Sequence, residues 1–287
     1  MRRQRGPSLG VFLLSLTLSA CTSGDLFEPL PEEVGIIGVS LGNVAVVTGD
    51  NERIEELLTR FEVPYTLYDG FNVGPPADAL LAEAYTDLPP VESLLVPSTL
   101  VNYSVVFINC GARGFGDIDL NTLQPDISLL SAEHVQTLSD FVNRGGELIL
   151  SDRSFPLVER LAADQLSFYG DDASLTEPLV GAPGTVQAEV VDQALSEDLG
   201  RTSLWMEYLL QGWAVVESGS GVLLSGDIEL QPSPELPVER RQEVPLLLRF
   251  AVGSGYVTYA TFHNAPEIDP ALTDLQIHLL RRIGGVE

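Results

Sequence analysis

The run Asp140-Phe-Val-Asn-Arg-Gly-Gly-Glu-Leu-Ile-Leu-Ser-Asp152 decides how the chain is read. Val135, Leu138, Phe141 and Val142 recur at helical spacing behind Ser131, a good N-cap, and Gly145 closes that helix. Glu147 to Leu150 then reads as a strand ending in Ser151-Asp152-Arg153, and Pro156 opens the next helix. Working toward the N-terminus, Tyr103 to Ile108 is apolar enough to be a strand buried on both faces, and it ends at Asn109-Cys110-Gly111. Val44 to Thr48 is a first strand ending in Gly49-Asp50. Asp50 or Asn51 caps a helix carrying Ile54, Leu57, Leu58 and Phe61, and Pro64 to Tyr68 is the second strand. Between Asp69 and Asn102, five prolines surround one short helical piece, Ala77 to Tyr85, which reads as a surface excursion. Beyond Thr185 the segments Val186 to Val191, Leu204 to Leu210, Trp213 to Glu217 and Val222 to Leu224 read as strands with few helices between them. A last strand, Tyr256 to Phe262, leads to His263 and to a helix whose Leu272, Leu275, Leu279, Leu280 and Ile283 share one face. The expectation is an α/β fold: a doubly wound, mostly parallel sheet, with a β-rich insertion in the C-terminal half.

The first residues are of another kind. Arg2, Arg3 and Arg5 precede an apolar run from Leu9 to Leu18 and then Leu18-Ser19-Ala20-Cys21, the layout of a secretory signal. Leu-Ser-Ala-Cys resembles the bacterial lipobox, which implies cleavage before Cys21 and a lipid on that residue. The apolar run is too short to span a bilayer, which takes about 20 apolar residues. The expected organisation is therefore a signal over 1–20, a proline-containing tether over 21–41, and one domain over 42–287. A lipid on Cys21 implies the cell envelope. Thr22, standing where an aspartate would favour inner-membrane retention, points to the outer membrane.

Composition excludes several functions. Of 15 basic residues, three are arginines of the signal, so 12 remain against 41 acidic ones, a net charge of −29. Such a surface repels nucleic acid and anionic head groups. There is no lysine, which removes Schiff-base and P-loop chemistry. With Cys21 acylated, Cys110 is the one remaining thiol, so neither an intrachain disulfide nor a Cys-rich zinc site can form. No cofactor or metal is expected. The expected partners are the membrane, through the lipid, and a protein or carbohydrate ligand.

Ligands of open parallel sheets bind beyond the carboxyl ends of the strands. The candidate crevice is therefore Asp50, Asn109, Cys110, Asp152, Arg153 and His263. The order of elements, the run from Asp140 to Asp152 and the run Gly255-Tyr-Val-Thr-Tyr-Ala-Thr-Phe-His-Asn264 resemble the class I glutamine amidotransferase-like superfamily, in particular its trehalose-utilisation-like branch and related secreted lipoproteins. The resemblance covers most of Val44 to Ile283 and implies a flavodoxin-like sheet. It also implies a catalytic nucleophile on a strained turn after the fourth strand, in a Gly-x-Cys-x-Gly setting. Here that turn is Leu150-Ser-Asp-Arg-Ser-Phe155, with neither cysteine nor glycine, so glutaminase chemistry is not expected. Cys110 falls where such enzymes keep part of the oxyanion hole, and His263 where they keep the catalytic histidine. The function expected is a non-catalytic binding or scaffolding module. The alternative is a hydrolase using Cys110 or Ser154 with His263, with Glu267 or Asp269 behind the imidazole.

The plainer reading of Cys110 is a small buried hydrophobe at a strand end, and of His263 a ring satisfied by backbone. His278, opposite the leucines of its helix, is expected in solvent, and His134 in the first turn of another helix is no site. Asp117-Ile-Asp119-Leu-Asn121 has calcium-loop spacing, but Thr122 and Ser128 stand where glycine and a bidentate acid are needed, so an acidic loop is expected. Trp205, Tyr208, Trp213 and Tyr256 are read as core before they are read as sugar-stacking rings.

Overall fold

The computed structural model describes residues 41–75, 82–119, 124–170, 174–233, 235–263 and 270–283. The signal, Cys21, nearly all of the tether, Glu267 and Asp269 lie outside the described residues; Leu41, at the end of the expected tether, is buried. The architecture is mixed α/β around one large sheet, and no helix among the described residues is long and apolar enough to cross a membrane.

The N-terminal half runs β1 (Val44–Val47), α1 (Ile54–Arg60), β2 (Tyr65–Tyr68), β3 (Val105–Ile108), α2 (Ala132–Asn143), β4 (Glu147–Ser151) and α3 (Phe155–Ala162). The C-terminal half adds β5 (Gly184–Val190), α4 (Gln193–Leu199), β6 (Ser203–Tyr208), β7 (Val222–Leu230), β8 (Glu239–Val252), β9 (Gly255–Ala260) and α5 (Pro270–Ile283). Spatial order across the sheet is β6-β5-β7-β8-β9-β4-β3-β1-β2. From β9 to β2 the pairs are parallel; from β8 to β6 they are antiparallel.

The parallel part forms for the reason its sequence suggested. All four residues of β1 and of β3 are buried, so both faces must be covered. Ala45, Val47, Val106, Ile108, Leu148, Leu150, Val257 and Tyr259 share one core with Leu138, Phe141 and Val142 of α2 and Phe155 and Val158 of α3. On the other face, Phe107, Ile149 and Thr258 border a cavity of about 40 Å³ together with Ile54 of α1 and Leu275 and Leu279 of α5. Ser131 caps α2, its side chain accepting from the His134 amide.

The C-terminal half departs from expectation. The β-rich segment is not a separate insertion but continues the same sheet, joined at β8 and β9. Its longest strand, β8, carries no strand signal in the sequence: Pro245 interrupts the pattern, and a proline argues against an interior strand. The register of the β7/β8 pair shifts beside Ser225, which pairs with Pro245, and Glu243 two residues earlier has φ 54°, so the missing N–H falls in an irregular stretch of the ladder. The halves are pinned by Arg249 on β8, which grips Glu147 on β4 with two hydrogen bonds of 3.0 and 2.9 Å, while the Thr258 hydroxyl donates to the same carboxylate at 2.9 Å. The expected helical piece Ala77 to Tyr85 is described only from residue 82, where Ala82–Tyr85 forms a 3₁₀ turn.

Candidate functional site

Register brings the chemistry together. Ile108 pairs with Leu150, so Cys110 and Asp152, two residues further along each chain, leave the sheet side by side. Two glycines permit this. A Cβ at Gly49 would lie 2.3 Å from the Cys110 carbonyl oxygen, and one at Gly116, where φ is +127°, would lie 2.0 Å from the Arg153 carbonyl oxygen.

Asp152 has φ +35°, a left-handed conformation that costs a non-glycine residue on the order of 1–3 kcal/mol. Surrounding bonds hold it there. The Ala214 amide donates to Oδ1 at 2.8 Å, and the Tyr259 hydroxyl donates to the Asp152 backbone oxygen at 2.6 Å. Ala214 is in turn placed by Trp213, which is fully buried, stacks on Tyr208 at 4.1 Å, and donates its indole N–H to the Ala182 carbonyl at 2.9 Å. Burying such a ring removes on the order of 200 Å² of apolar surface, an upper limit of about 5 kcal/mol. Thus the antiparallel half supplies the donor that orients a carboxylate of the parallel half.

The other carboxylate oxygen, Oδ2, is the meeting point of the site. His263 Nε2 lies 3.0 Å from it and the Cys110 sulfur 3.8 Å from it. One nitrogen of His263, the sulfur and one carboxylate oxygen all lie within 4.8 Å of one another. Cys110 and Asp152 are fully enclosed, and the His263 side chain is 18 % exposed. Burial pushes the Cys110 thiol up, against the pull of His263 and of the Arg153 amide. Burial also opposes charge on the imidazole, but the Cys110 sulfur and the Asp152 carboxylate outweigh it and hold His263 well above the ordinary histidine value.

A second buried cluster adjoins the first. Glu52 accepts from the Cys110 backbone amide at 3.0 Å and from the Ser151 hydroxyl. Glu55 accepts from Asn109 Nδ2 at 2.8 Å and from the Tyr85 hydroxyl at 2.9 Å, and desolvation raises its pKa. Sequence reasoning missed Glu52 and Glu55, because acids at the start of a helix pass for solvated dipole partners. Ala214 contributes only a backbone N–H from a distant strand, and no signal in the sequence marks it.

The six expected crevice residues therefore separate. Cys110, Asp152 and His263 converge, while Asn109 belongs to the Glu55 cluster. Arg153 pairs with Asp117 at 3.3 Å and borders a groove of about 690 Å³ beside Tyr169 and Glu177. Asp50 accepts from the Asn72 amide at 3.1 Å. Its pKa is raised by burial, despite the Asn72 and Val73 amides, with Asp117 and Asp69 adding to the rise. Ser154 is buried at 2 % exposure and, among the described residues, no hydrogen bond joins it to His263. His278 is corrected: it is not in solvent but half-buried, 2.6 Å from Asp198 of α4. His134 Nδ1 meets the Leu129 carbonyl at 3.0 Å. Asp117 serves Asn72 and Arg153, whereas residues 120–123 of the calcium-like run lie outside the described residues. Of the aromatic rings, Trp213 and Tyr208 are core; Trp205 is exposed, and Tyr256 carries Arg249 over its face at 3.7 Å.

No family model matches the chain, and no curated protein matches it. Among solved structures it is similar to a glutamine amidotransferase from Thermotoga maritima, at 10 % identity over 85 % of this chain and 99 % of that one, with a TM-score of 0.48. It is also similar to a ThuA-like protein from Bacteroides uniformis, at 11 % identity over 86 % and 92 % of the two chains and a TM-score of 0.47. A cytoplasmic protein from Salmonella typhimurium gives 13 % identity over 84 % and 99 %, also with a TM-score of 0.47.

Proposed function

We propose that the chain is an envelope lipoprotein, anchored through Cys21, whose amidotransferase-like, flavodoxin-like domain is a binding or scaffolding module without hydrolytic activity. The observation that carries this reading is the occupant of the turn after β4. A catalytic elbow presents a nucleophile to substrate and aims backbone N–H groups at the developing oxyanion. Here the strained position holds Asp152, fully buried, with one oxygen on Ala214 and the other shared by His263 and Cys110. The Cys110 amide, the donor that the family resemblance would assign to an oxyanion, is consumed by Glu52. Cys110 itself is enclosed, and burial raises its thiol pKa.

Two labelling experiments test the two parts. Palmitate incorporation in cells is expected in the wild-type chain and lost in Cys21→Ala; labelling that survives the substitution contradicts the anchor. A serine-directed fluorophosphonate is expected to leave the folded chain unmodified. Labelling at Ser154 that disappears in His263→Ala would establish the hydrolase reading instead.

A further inference from the structure

We propose that Cys110, Asp152 and His263 form a binding site for a borderline-soft divalent metal ion, zinc being the best match. The inference concerns the buried cluster alone and stands whether or not Cys21 carries a lipid.

Three metal-binding side chains converge. A catalytic triad uses both faces of its imidazole, one nitrogen toward the acid and the other toward the nucleophile. In this cluster one nitrogen, one sulfur and one oxygen lie together, none further than 4.8 Å from another. Donors bound at about 2.0–2.3 Å to a tetrahedral zinc ion stand about 3.3–3.6 Å apart. The 3.0 Å from His263 Nε2 to Asp152 Oδ2 and the 3.8 Å from that oxygen to the sulfur bracket this spacing. As a hydrogen bond, the sulfur contact is weak, since a thiol is a poor donor. As one edge of a coordination tetrahedron it needs only a few tenths of an ångström of adjustment.

The donors also select the ion. Thiolate and imidazole favour zinc and its transition-metal neighbours, whereas calcium and magnesium require oxygen donors that the cluster does not supply in number. A thiolate, a carboxylate and a neutral imidazole cancel the charge of one divalent ion, which suits an enclosed position. Outer contacts are in place as well: the Ala214 amide fixes Oδ1 and leaves Oδ2 for the ion, and the Tyr259 hydroxyl clamps the Asp152 backbone. Since His263 is the partly exposed member, the ion enters beside the imidazole, and the fourth position faces that side. Binding requires the Cys110 thiolate and the neutral His263 imidazole, so the protons these two groups carry are released to solvent; nothing is oxidised or reduced.

The test uses the full chain, purified in detergent and freed of metal with a chelator. Cobalt(II) is added first as a spectroscopic probe and then displaced by zinc. The expected result is one cobalt ion per chain with a thiolate-to-cobalt charge-transfer band, abolished by one equivalent of zinc. Cys110→Ser is expected to lose the band, and Cys21→Ser to keep it. Asp152→Asn and His263→Gln are each expected to weaken zinc binding at least about tenfold, with circular dichroism reporting that the fold is retained. X-ray absorption of the zinc-loaded wild-type chain needs no variant, and should show one sulfur at about 2.3 Å with nitrogen and oxygen at about 2.0 Å. A folded chain that gives no charge-transfer band, zinc affinity unchanged in Cys110→Ser, or a shell of oxygen and nitrogen alone would overturn the proposal.

Discussion

Glu55, in the first turn of α1, and Asp152, just after β4, are both fully buried carboxylates, yet they belong to different kinds of chemistry. Glu55 accepts from an amide and a phenol, Asn109 and Tyr85, two donors that stay neutral, and the bonds tie α1 to β3 and to the excursion after β2. Asp152 accepts one neutral N–H on Oδ1, and its other oxygen meets an imidazole and a sulfur. Full burial of a carboxylate therefore does not by itself identify a functional site. The partners decide: donors that only satisfy a carboxylate make a brace, whereas donors that can themselves bind a cation make a candidate centre.

Substitutions can break this contrast from either side. The largest stability loss is expected for Glu55→Ala, which strands the Asn109 amide and the Tyr85 hydroxyl in the interior at about 3 kcal/mol in total, read as a lower urea midpoint. Zinc affinity should be unchanged in that variant while it remains folded. Gly49→Ala drives a methyl group against the Cys110 carbonyl and should cost about 2 kcal/mol, with zinc binding weakened because the end of β3 must shift. Asp152→Asn keeps an acceptor for Ala214 and should cost only about 1–2 kcal/mol in urea, yet it should weaken zinc binding at least about tenfold. A Glu55 variant with weakened zinc binding, or an Asp152 variant with unchanged zinc affinity, would erase the distinction drawn between the clusters.

The smallest effect belongs to Asp50, which takes part in neither cluster. Its folded-state pKa is raised, mainly by burial, so stability is fully present below the unfolded value of about 3.9 and declines as pH rises through the folded value. Asp50→Asn should therefore raise the unfolding midpoint at pH 7, by less than about 1 kcal/mol for this part-exposed group, and the gain should vanish near pH 4. A gain that is equal at both pH values would show that charge on Asp50 is not its cause.

The parallel half was legible in the sequence because burial on both faces writes continuous apolar runs such as Val105–Ile108, and because Ser131 and Pro156 mark helix starts. The antiparallel half was less so. In β8 a charged stretch, Glu239 to Glu243, precedes a proline and an apolar run, and only the shifted register of the β7/β8 ladder reconciles them. Residues of the site were visible one at a time, since strand ends can be located from strands. Their grouping was not. Whether Cys110 meets His263 or Asn109 meets Glu55 depends on inter-strand register and on which face each side chain leaves, and a single residue of slip reverses the answer. Ala214 was invisible because any residue carries an N–H.

The central claim is that the turn after β4 holds a buried acid, with Cys110 an enclosed thiol and not a nucleophile. The most direct test is the rate at which iodoacetamide modifies Cys110 as a function of pH in the chelator-treated folded chain, read on the Cys110 peptide by mass spectrometry. The account predicts negligible modification through the neutral range and rapid modification only after unfolding. Fast modification of the folded chain with an apparent pKa well below about 8.5, lost in His263→Ala, would contradict it and make Cys110 the nucleophile of an active site.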